Sequence, residues 1–326
     1  MLEQKIFSSY PRQESESLSS LSSALYHDQK MKWRMLAEGV EALEGVHTRI
    51  INCGTFAVRL QFNPKRIVST GAKVDPASIK ERKCFLCTDN LPPDQQGVLY
   101  REKFIVLCNP MPIFREHFTI SHVDHIPQSI EEHIIDFLDL AKDFAASHSV
   151  FYNGPKCGAS APDHMHFQAS PKNTIPVENE VTVVERRRLY KRIGEIDILE
   201  LAHTGRSIIV LESSSKQDIE FGFLRLTGAM RKAMKTDEEP MLNAICSFSD
   251  GLWRIIVFPR AKHRPDVYFK DGEEKILISP AAVDIGGLII TPIEKDFKSV
   301  DAALVTKIFE EVSVSSENHH NILTLL

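Results

Sequence analysis

Hydrophobic and polar positions follow two different periods along the first half of the chain. Residues 104–108 and 117–121 are short apolar runs separated by the proline-rich residues 109–112, which predicts two β-strands joined by a loop. From Ile130 to Ser147 the apolar residues recur every three or four positions, which predicts an amphipathic helix. Another strand is expected at residues 150–153, directly before a glycine-rich turn.

The second half of the chain repeats part of this order. Residues 243–258 are predicted to form a β-hairpin whose turn is Ser249-Asp250-Gly251. His125 follows the strand pair of the first half, and His263 follows the hairpin of the second. A later apolar strand at 286–290 falls where a second histidine-bearing strand would lie, yet it holds no histidine. We interpret the second half as a duplicated unit that has lost the histidine residues of the first. The alternative is that the likeness is only that of any two β-hairpins.

The composition is that of an ordinary globular protein, with 43% hydrophobic and 25% charged residues among 326. A net charge of −5 argues against an unspecific nucleic-acid binder, which normally carries a basic face. No apolar run reaches the roughly 18 residues of a transmembrane helix, and the N-terminus lacks the pattern of a secretory signal. We therefore expect neither nucleic acid nor a membrane as partner, and the cytoplasm as location.

The strongest chemical signal is the segment His164-Met165-His166-Phe167-Gln168. Alternate side chains of a β-strand share a face, so two imidazoles and a carboxamide would converge on one patch. The turn Gly158-Ala159-Ser160 before it offers backbone amides and a hydroxyl that could face a phosphate. An exposed strand with incidental histidines is the alternative, and the clustering of these groups argues against it.

Residues 153–168, NGPKCGASAPDHMHFQ, resemble the active-site segment of the transferase branch of the histidine triad superfamily, whose signature is His-x-His-x-Gln. That branch includes galactose-1-phosphate uridylyltransferases, diadenosine tetraphosphate phosphorylases and GDP-hexose phosphorylases. The stretches NPMPIFREHFTISHVDHIPQ and ELAHTGRSIIVLE are most similar to the GDP-hexose phosphorylases. Asp163 occupies a position where the other two groups have proline, which also favours the GDP-hexose phosphorylases.

The resemblance implies a ping-pong nucleotidyl transfer in which His166 becomes covalently nucleotidylated, with Gln168 and His164 as the other catalytic residues. A nucleoside diphosphate sugar would donate its nucleoside monophosphate, and phosphate or a sugar phosphate would accept it. Gln168 would hold a phosphoryl oxygen but could not donate a proton as histidine does, which favours transfer over hydrolysis. The resemblance also implies four substrate-binding residues: Asn109, Asn153, Gly158 and Ser160.

The motif Cys84-x-x-Cys87 is half of a tetrahedral zinc site, which needs two more cysteine or histidine ligands. In uridylyltransferases and many histidine triad proteins, those ligands correspond to His125 and His164 of this chain. A reduced structural cysteine pair is the rival interpretation, and His117 or His122 could replace His125 as the third ligand. The hypothesis also allows a divalent cation that assists phosphate binding, for which the sequence shows no site.

Together these features predict an α+β fold of two histidine-triad-like units, each an antiparallel sheet with flanking helices. The second unit of this pseudo-duplicated body would lack the triad. We expect an N-terminal extension at 1–45 with a helix over 24–43, a catalytic unit at 46–200 and a degenerate unit at 201–326. The basic stretch 260–264 of the degenerate unit is a candidate for phosphate contacts.

Two other functions stay open at this point. One is a dinucleoside polyphosphate phosphorylase or hydrolase, which would turn over diadenosine tetraphosphate in preference to a GDP-hexose. The other is a non-catalytic nucleotide-binding or zinc-binding protein, which would bind nucleotide without forming a covalent adduct. Members of the family are often homodimers, and no residue of this sequence demonstrates that state.

Overall fold

The structure is a computed structural model that describes residues 2–11, 16–71 and 75–326, apart from the side chains of Ser69 and Pro76. Fourteen β-strands lie within these residues. The described strands are β1 (Ile6–Tyr10), β2 (His47–Asn52), β3 (Ala57–Phe62), β4 (Gly97–Tyr100), β5 (Phe104–Cys108), β6 (Phe118–His122), β7 (His148–Asn153), β8 (His166–Pro171), β9 (Arg187–Ile193), β10 (Ile196–Leu201), β11 (Ile209–Ser213), β12 (Leu242–Ser249), β13 (Leu252–Pro259) and β14 (Leu288–Thr291).

Helices lie between and after the strands. The described α-helices are α1 (Leu18–Lys32), α2 (Arg34–Ala42), α3 (Ile67–Thr70), α4 (Pro76–Glu81), α5 (Ile134–Asp143), α6 (Pro176–Glu180), α7 (Lys216–Met234), α8 (Ala282–Ile285), α9 (Glu294–Ser299), α10 (Ala302–Val312) and α11 (Ser316–Thr324). The single helix predicted over 24–43 is wrong in its bounds. The hydroxyl of Ser17 caps a helix that starts earlier, and the extended backbone of Trp33 divides the segment into α1 and α2.

Eleven strands form one large sheet in the order β1-β4-β5-β6-β8-β7-β12-β13-β11-β10-β9. All its neighbours are antiparallel except β1 and β4. A small sheet of three strands has the order β14-β3-β2. Large antiparallel pairings with helices packed against them confirm the predicted α+β class.

The large sheet separates two hydrophobic cores because its side chains alternate between faces. Tyr152 and Phe167 belong to the core on the helical face, to which α1, α2, α5, α7 and α11 contribute. Phe151 belongs to the core on the opposite face, which the small sheet, α8 and α10 cover. Asn153 and His166 have the parity of Phe151 and so point to this second face.

The hairpin predicted in the second half is confirmed as β12 and β13. Asp250 and Gly251 both have positive φ, as a two-residue turn of type I′ requires. The proposed counterpart of the histidine strand is wrong in its position: β14 pairs with β3 in the small sheet rather than with β13. The strand β11 occupies the second side of β13 instead.

The two halves of the chain meet inside the large sheet, where β7 pairs with β12 from Asn153–Asn243 to Val150–Cys246. Strands β9 and β10 lie almost entirely before the predicted boundary at residue 200, yet they are on the far side of β12 with the strands of the second half. The predicted division at residues 45 and 200 stays a prediction. Among the described residues, no helix combines the length and apolar character needed to cross a membrane.

Candidate active site

The site begins where two neighbouring strands separate. Strands β7 and β8 are paired from His148–Pro171 to Phe151–Gln168, and the pairing then stops. Beyond this point β7 stays paired with β12, while His166 of β8 stays paired with Ser121 of β6. The backbone groups of Asn153 and His166 therefore face a gap instead of each other.

The side chain of Gln128 fills this gap. Its Nε2 donates to the backbone oxygens of Asn153 and His166, each at 3.0 Å, and its Oε1 accepts from the backbone nitrogen of His166 at 2.8 Å. Gln128 is buried. One carboxamide thus replaces the missing ladder bonds and holds the two strands apart, which satisfies backbone groups that would be costly to bury alone.

A cavity of about 570 Å³ opens on this side of the sheet. One part of its wall is apolar and comes from the first half of the chain: Met35, Leu86, Leu91, Pro92, Leu107 and Met111. Another part carries polar and ionisable side chains from both halves: Asn153, Ser160, His166, Gln168, His263 and Arg264. An apolar slot that leads to a few polar groups is the common form of a small-ligand site.

The imidazole of His166 is held in one tautomer. Its Nδ1 lies 2.8 Å from the backbone oxygen of His164, and because a carbonyl can only accept, Nδ1 carries the hydrogen. Nε2 then has an available electron pair, and it has no hydrogen-bond partner among the described residues. Burial lowers the pKa of His166 to about 4. The ring is therefore neutral and lines the cavity, and a neutral imidazole with an available electron pair can act as a nucleophile.

Gln168 is oriented by a chain of hydrogen bonds through His117. The backbone N–H of Ile113 donates to Nδ1 of His117 at 3.2 Å, so the ring hydrogen is on Nε2, which donates to Oε1 of Gln168 at 2.9 Å. Burial and the charge of Arg66 lower the pKa of His117 to about 3, so it stays neutral. The amide group of Gln168 is left as a donor at the cavity.

Sequence reasoning considered His117 only as an alternative metal ligand and so missed this role. A signal was present: His117, Thr119 and Ser121 alternate along the strand that pairs with the histidine segment. Residues at such spacing share a face, which is the face of Gln168. The cross-strand neighbour could not be assigned without the register of β6 and β8.

Asn153 is oriented from the second half of the chain. Its Oδ1 accepts from Nδ2 of Asn243 at 2.9 Å and from the backbone nitrogen of Ala282 at 2.8 Å. Its own amide group is therefore the part left for a ligand, since both acceptor contacts are already made. The predicted substrate-binding residue Asn153 does line the cavity.

The basic stretch 260–264 divides into two groups. Arg260, a candidate for phosphate contacts, is fully buried, and its guanidinium donates to Oδ1 of Asn243 and to backbone oxygens. The expectation that Arg260 contacts phosphate is wrong. Its N–H groups are already hydrogen-bonded to Asn243 and to backbone oxygens around it. Lys262 is exposed and pairs with Asp266. His263 and Arg264 line the cavity, so the second half contributes to the site.

The other predicted substrate-binding residues also line the cavity. Gly158 has a φ of +93°, and a Cβ there would lie 2.6 Å from Cβ of Ala281, so both conformation and space favour glycine. Ser160 follows it two residues later. Asn109 closes its own loop, since its Oδ1 accepts from the backbone nitrogen of Met111 at 3.0 Å.

His164 does not join His166 and Gln168 in the cavity. Strand β8 begins at His166, and residue 164 belongs to a turn in which its nitrogen donates to Ala161 at 3.2 Å. The alternation of a strand therefore does not extend to it, and the predicted convergence of three side chains is wrong for His164. Its imidazole instead faces the cysteine motif, while its backbone oxygen holds His166.

Cys84, Cys87, His125 and His164 form a cluster whose four candidate ligand atoms all lie within 4.8 Å of one another. Nδ1 of His164 is 3.3 Å from Sγ of Cys84, 3.6 Å from Sγ of Cys87 and 3.2 Å from Nδ1 of His125. We call these four residues the Cys/His cluster. This arrangement could hold a metal ion.

The tautomer of His164 suits a ligand. Its Nε2 lies 2.8 Å from the backbone oxygen of His122, so the hydrogen is on Nε2 and Nδ1 presents its electron pair to the cluster. Neither alternative third ligand is part of the cluster. His117 is bound to Gln168, and His122 accepts from the backbone nitrogen of Asp124 at 3.0 Å.

Positive side chains exceed negative ones along the cavity wall. Arg66, Arg82 and Arg264 line it among the described residues, against the carboxylate of Asp284, and Arg82 also pairs with Asp163 at 2.7 Å. Burial raises the pKa of Asp284 to about 6. The balance favours an anionic ligand.

Two family models match the chain, one in each half. A model described as a domain of unknown function (DUF4922) matches residues 25–171, and a model described as the GDPGP1-like C-terminal domain matches residues 180–326. No curated protein matches the chain by sequence.

The fold is similar to that of yeast Ap4A phosphorylase Apa2. The complex of that protein with AMP has a TM-score of 0.55 and 15% identity, over 90% of this chain and 96% of the other. The complex with Ap4A has a TM-score of 0.55 and 14% identity, over 91% and 98%. At identities of 14–15%, this similarity shows a shared fold.

Replacing Gln128 by alanine should lower the free energy of unfolding by about 3 kcal/mol, because three backbone contacts are lost and their partners stay buried. Urea unfolding followed by tryptophan fluorescence would measure this. The matched control is Gln217→Ala on the exposed surface of α7, with an expected change within about 0.5 kcal/mol. Equal stability of the two variants would contradict the bridging role of Gln128.

Proposed function

We propose that this protein is a nucleotidyl phosphorylase that carries a nucleoside monophosphate on Nε2 of His166 and acts on a nucleoside diphosphate sugar. The observation that carries the proposal is the bond from Nδ1 of His166 to the backbone oxygen of His164. It leaves Nε2 with an electron pair, next to donors that suit a phosphoryl group. The excess of guanidinium groups along the cavity supports the same kind of ligand.

In the first step Nε2 of His166 bonds to the α-phosphorus, and the bond from that phosphorus to the bridging oxygen breaks. The sugar 1-phosphate leaves with the oxygen and its electron pair. Because a phosphate monoester is a stable anion, this departure needs no strong proton donor. The carboxamide of Gln168, oriented by His117, would stabilise the charge on the transferred phosphoryl group by donating a hydrogen bond.

In the second step an oxygen of inorganic phosphate attacks the same phosphorus. The phosphorus–nitrogen bond breaks, its electron pair returns to Nε2, and a nucleoside diphosphate leaves. A sugar phosphate as acceptor would give a new nucleoside diphosphate sugar by the same bond changes. The neutral state of His166 suits both steps, since it starts and ends each cycle with its electron pair available.

The nature of the leaving group separates two candidate substrates. Segments on both sides of the histidine strand resemble the GDP-hexose phosphorylases, and the C-terminal match is to a GDPGP1-like domain, which together favour a GDP-hexose. The second candidate is a dinucleoside polyphosphate, favoured by the fold shared with an Ap4A phosphorylase that has been crystallised with Ap4A. The nucleophile is the same in both cases.

We propose zinc as the ion of the Cys/His cluster. Two thiolates and two imidazoles are the usual ligands of structural zinc, and bonds of about 2.3 Å to sulfur and about 2.0 Å to nitrogen fit ligand atoms 3.2–3.6 Å apart. The ion would tie the segment around Cys84 to residue 164. The role of the ion would be structural. It would fix residue 164, whose backbone oxygen orients the imidazole of His166.

The proposed adduct can be observed directly. Wild-type protein incubated briefly with a GDP-hexose should gain the mass of GMP in intact-protein mass spectrometry, and inorganic phosphate should remove it. His166→Ala should gain no mass, because the nucleophile is absent. The exposed His320→Ala variant, as a matched control, should behave like the wild type.

A panel containing UDP-hexoses and Ap4A would identify the donor in the same experiment. An AMP adduct formed from Ap4A in preference to a GDP-hexose would replace the sugar-nucleotide proposal by the dinucleotide one. Nucleotide binding without an adduct from any donor would refute the covalent mechanism.

The rate of adduct formation should be nearly constant between about pH 8 and pH 5.5. Protonation removes the electron pair of Nε2, and with a pKa of about 4 this loss occurs only as the pH falls through 4. An ordinary histidine, with a pKa of about 6.5, would keep roughly a tenth of its neutral form at pH 5.5. Single-turnover mass spectrometry over this range distinguishes the two profiles, and a tenfold fall by pH 5.5 would contradict the buried, neutral state of His166.

Purified protein should contain about one zinc ion per chain, measured by elemental mass spectrometry. Cys87→Ser should lose the ion and lower the melting temperature, because a tetrahedral site with three strong ligands binds zinc more weakly. Cys53→Ser changes a half-buried cysteine outside the cluster and should keep the metal. Full zinc content in Cys87→Ser would exclude Cys87 as a ligand.

A further inference from the structure

We propose that Gln95 reads the nucleobase, by accepting a hydrogen bond from an N–H group on the edge of the base. The proposal rests on the proposed function insofar as it assumes that the cavity receives a nucleotide. It assigns specificity to a residue that belongs to no motif, in the loop before β4. The ligand chemistry is a ring N–H or exocyclic amine of a purine or pyrimidine.

The side chain of Gln95 is oriented by a single contact. Gln95 is 5% exposed and lines the cavity. Its side-chain nitrogen donates to the backbone oxygen of Cys108 at 3.2 Å, and since a carbonyl cannot donate, the assignment of Nε2 and Oε1 is unambiguous. Oε1 has no hydrogen-bond partner among the described residues. Because the nearly buried Gln95 lines the cavity, this acceptor is available to a ligand there.

The surroundings of Gln95 suit a flat, mostly apolar ring. Leu91, Pro92, Leu107 and Met111 also line the cavity. In such a slot one directed polar group discriminates strongly, because a ligand that fails to pair with it leaves a buried acceptor unsatisfied. The backbone of Gln95 is also held, since its nitrogen donates to the oxygen of Pro92 at 3.0 Å.

The position of Gln95 relative to His166 fits the length of a nucleotide. Gln95 is bonded to Cys108 at the end of β5, and β5, β6 and β8 are successive neighbours in the large sheet. Neighbouring strands are about 4.8 Å apart, so β5 and β8 are separated by about 10 Å. A ribose can connect a base at the first strand to an α-phosphate at the third.

The second N–H of the Gln95 amide adds a donor beside the acceptor Oε1. Guanine, adenine and uracil each present an N–H next to an acceptor atom, so each could pair with the carboxamide. The three bases differ in which N–H group is used: N1–H in guanine, the exocyclic amine in adenine and N3–H in uracil. Methylating or deleting that one group tests the contact without changing the rest of the nucleotide.

The test is calorimetric binding of matched nucleoside monophosphates to the full chain. The pairs are GMP with 1-methyl-GMP, AMP with purine riboside 5′-monophosphate, and UMP with 3-methyl-UMP. Wild type should bind the intact member of its preferred pair about tenfold or more tightly than the altered member. Gln95→Leu should bind both members with similar, weak affinity, and the exposed Gln217→Leu control should keep the wild-type ratio.

Two results would overturn the proposal: no discrimination within any pair by wild type, or full discrimination retained in Gln95→Leu. The wild-type comparison is decisive even if the leucine variant does not fold. Failure of the covalent mechanism is recognised separately, because it abolishes the adduct on His166 while leaving the binding ratios intact. The exposed Gln217→Leu control should form the adduct like the wild type.

Discussion

The separation of β7 from β8 is the constraint on which the candidate site depends. Two strands that have paired for four residues diverge, and each remains bound to its outer neighbour. Such a gap inside a sheet would normally leave backbone groups without partners. The carboxamide of Gln128 provides them, so the sheet can open without losing its hydrogen bonds. The cavity, the imidazole of His166 and the amide of Asn153 all lie at this opening.

Residue 164 connects the Cys/His cluster to His166 through two different groups. Its side chain belongs to the cluster, and its backbone oxygen holds Nδ1 of His166. A displacement of the cluster would therefore move the carbonyl that sets the tautomer of the His166 ring. The Cys84-x-x-Cys87 motif and the histidine segment are 77 residues apart, counted from Cys87 to His164. This contact explains in physical terms why the two motifs have to be considered together.

The sequence was sufficient for groups whose positions follow from local rules. The hairpin around Asp250 and the α+β class needed only turn chemistry and periodicity, and the Cys/His cluster followed from the family resemblance. The face of His164 could not be predicted, because it depends on where β8 begins. The role of His117 depends on strand register, and the burial of Arg260 depends on packing between the two halves. Each of these three features depends on contacts between distant parts of the chain, which cannot be derived from the spacing of residues in the sequence.

The pairing of β7 with β12 has a consequence for how the molecule can be divided. All six residues of β7 are buried, and one edge of this strand is covered only by the second half of the chain. Separating the halves would expose an apolar edge with open hydrogen-bonding groups, which is a template for aggregation. The side-chain oxygen Oδ1 of Asn153 would lose both of its hydrogen-bond donors, Asn243 and Ala282, at the same time. The half that carries His166 is therefore not an autonomous module, and evolution could exchange or delete its companion only by rebuilding the middle of the sheet.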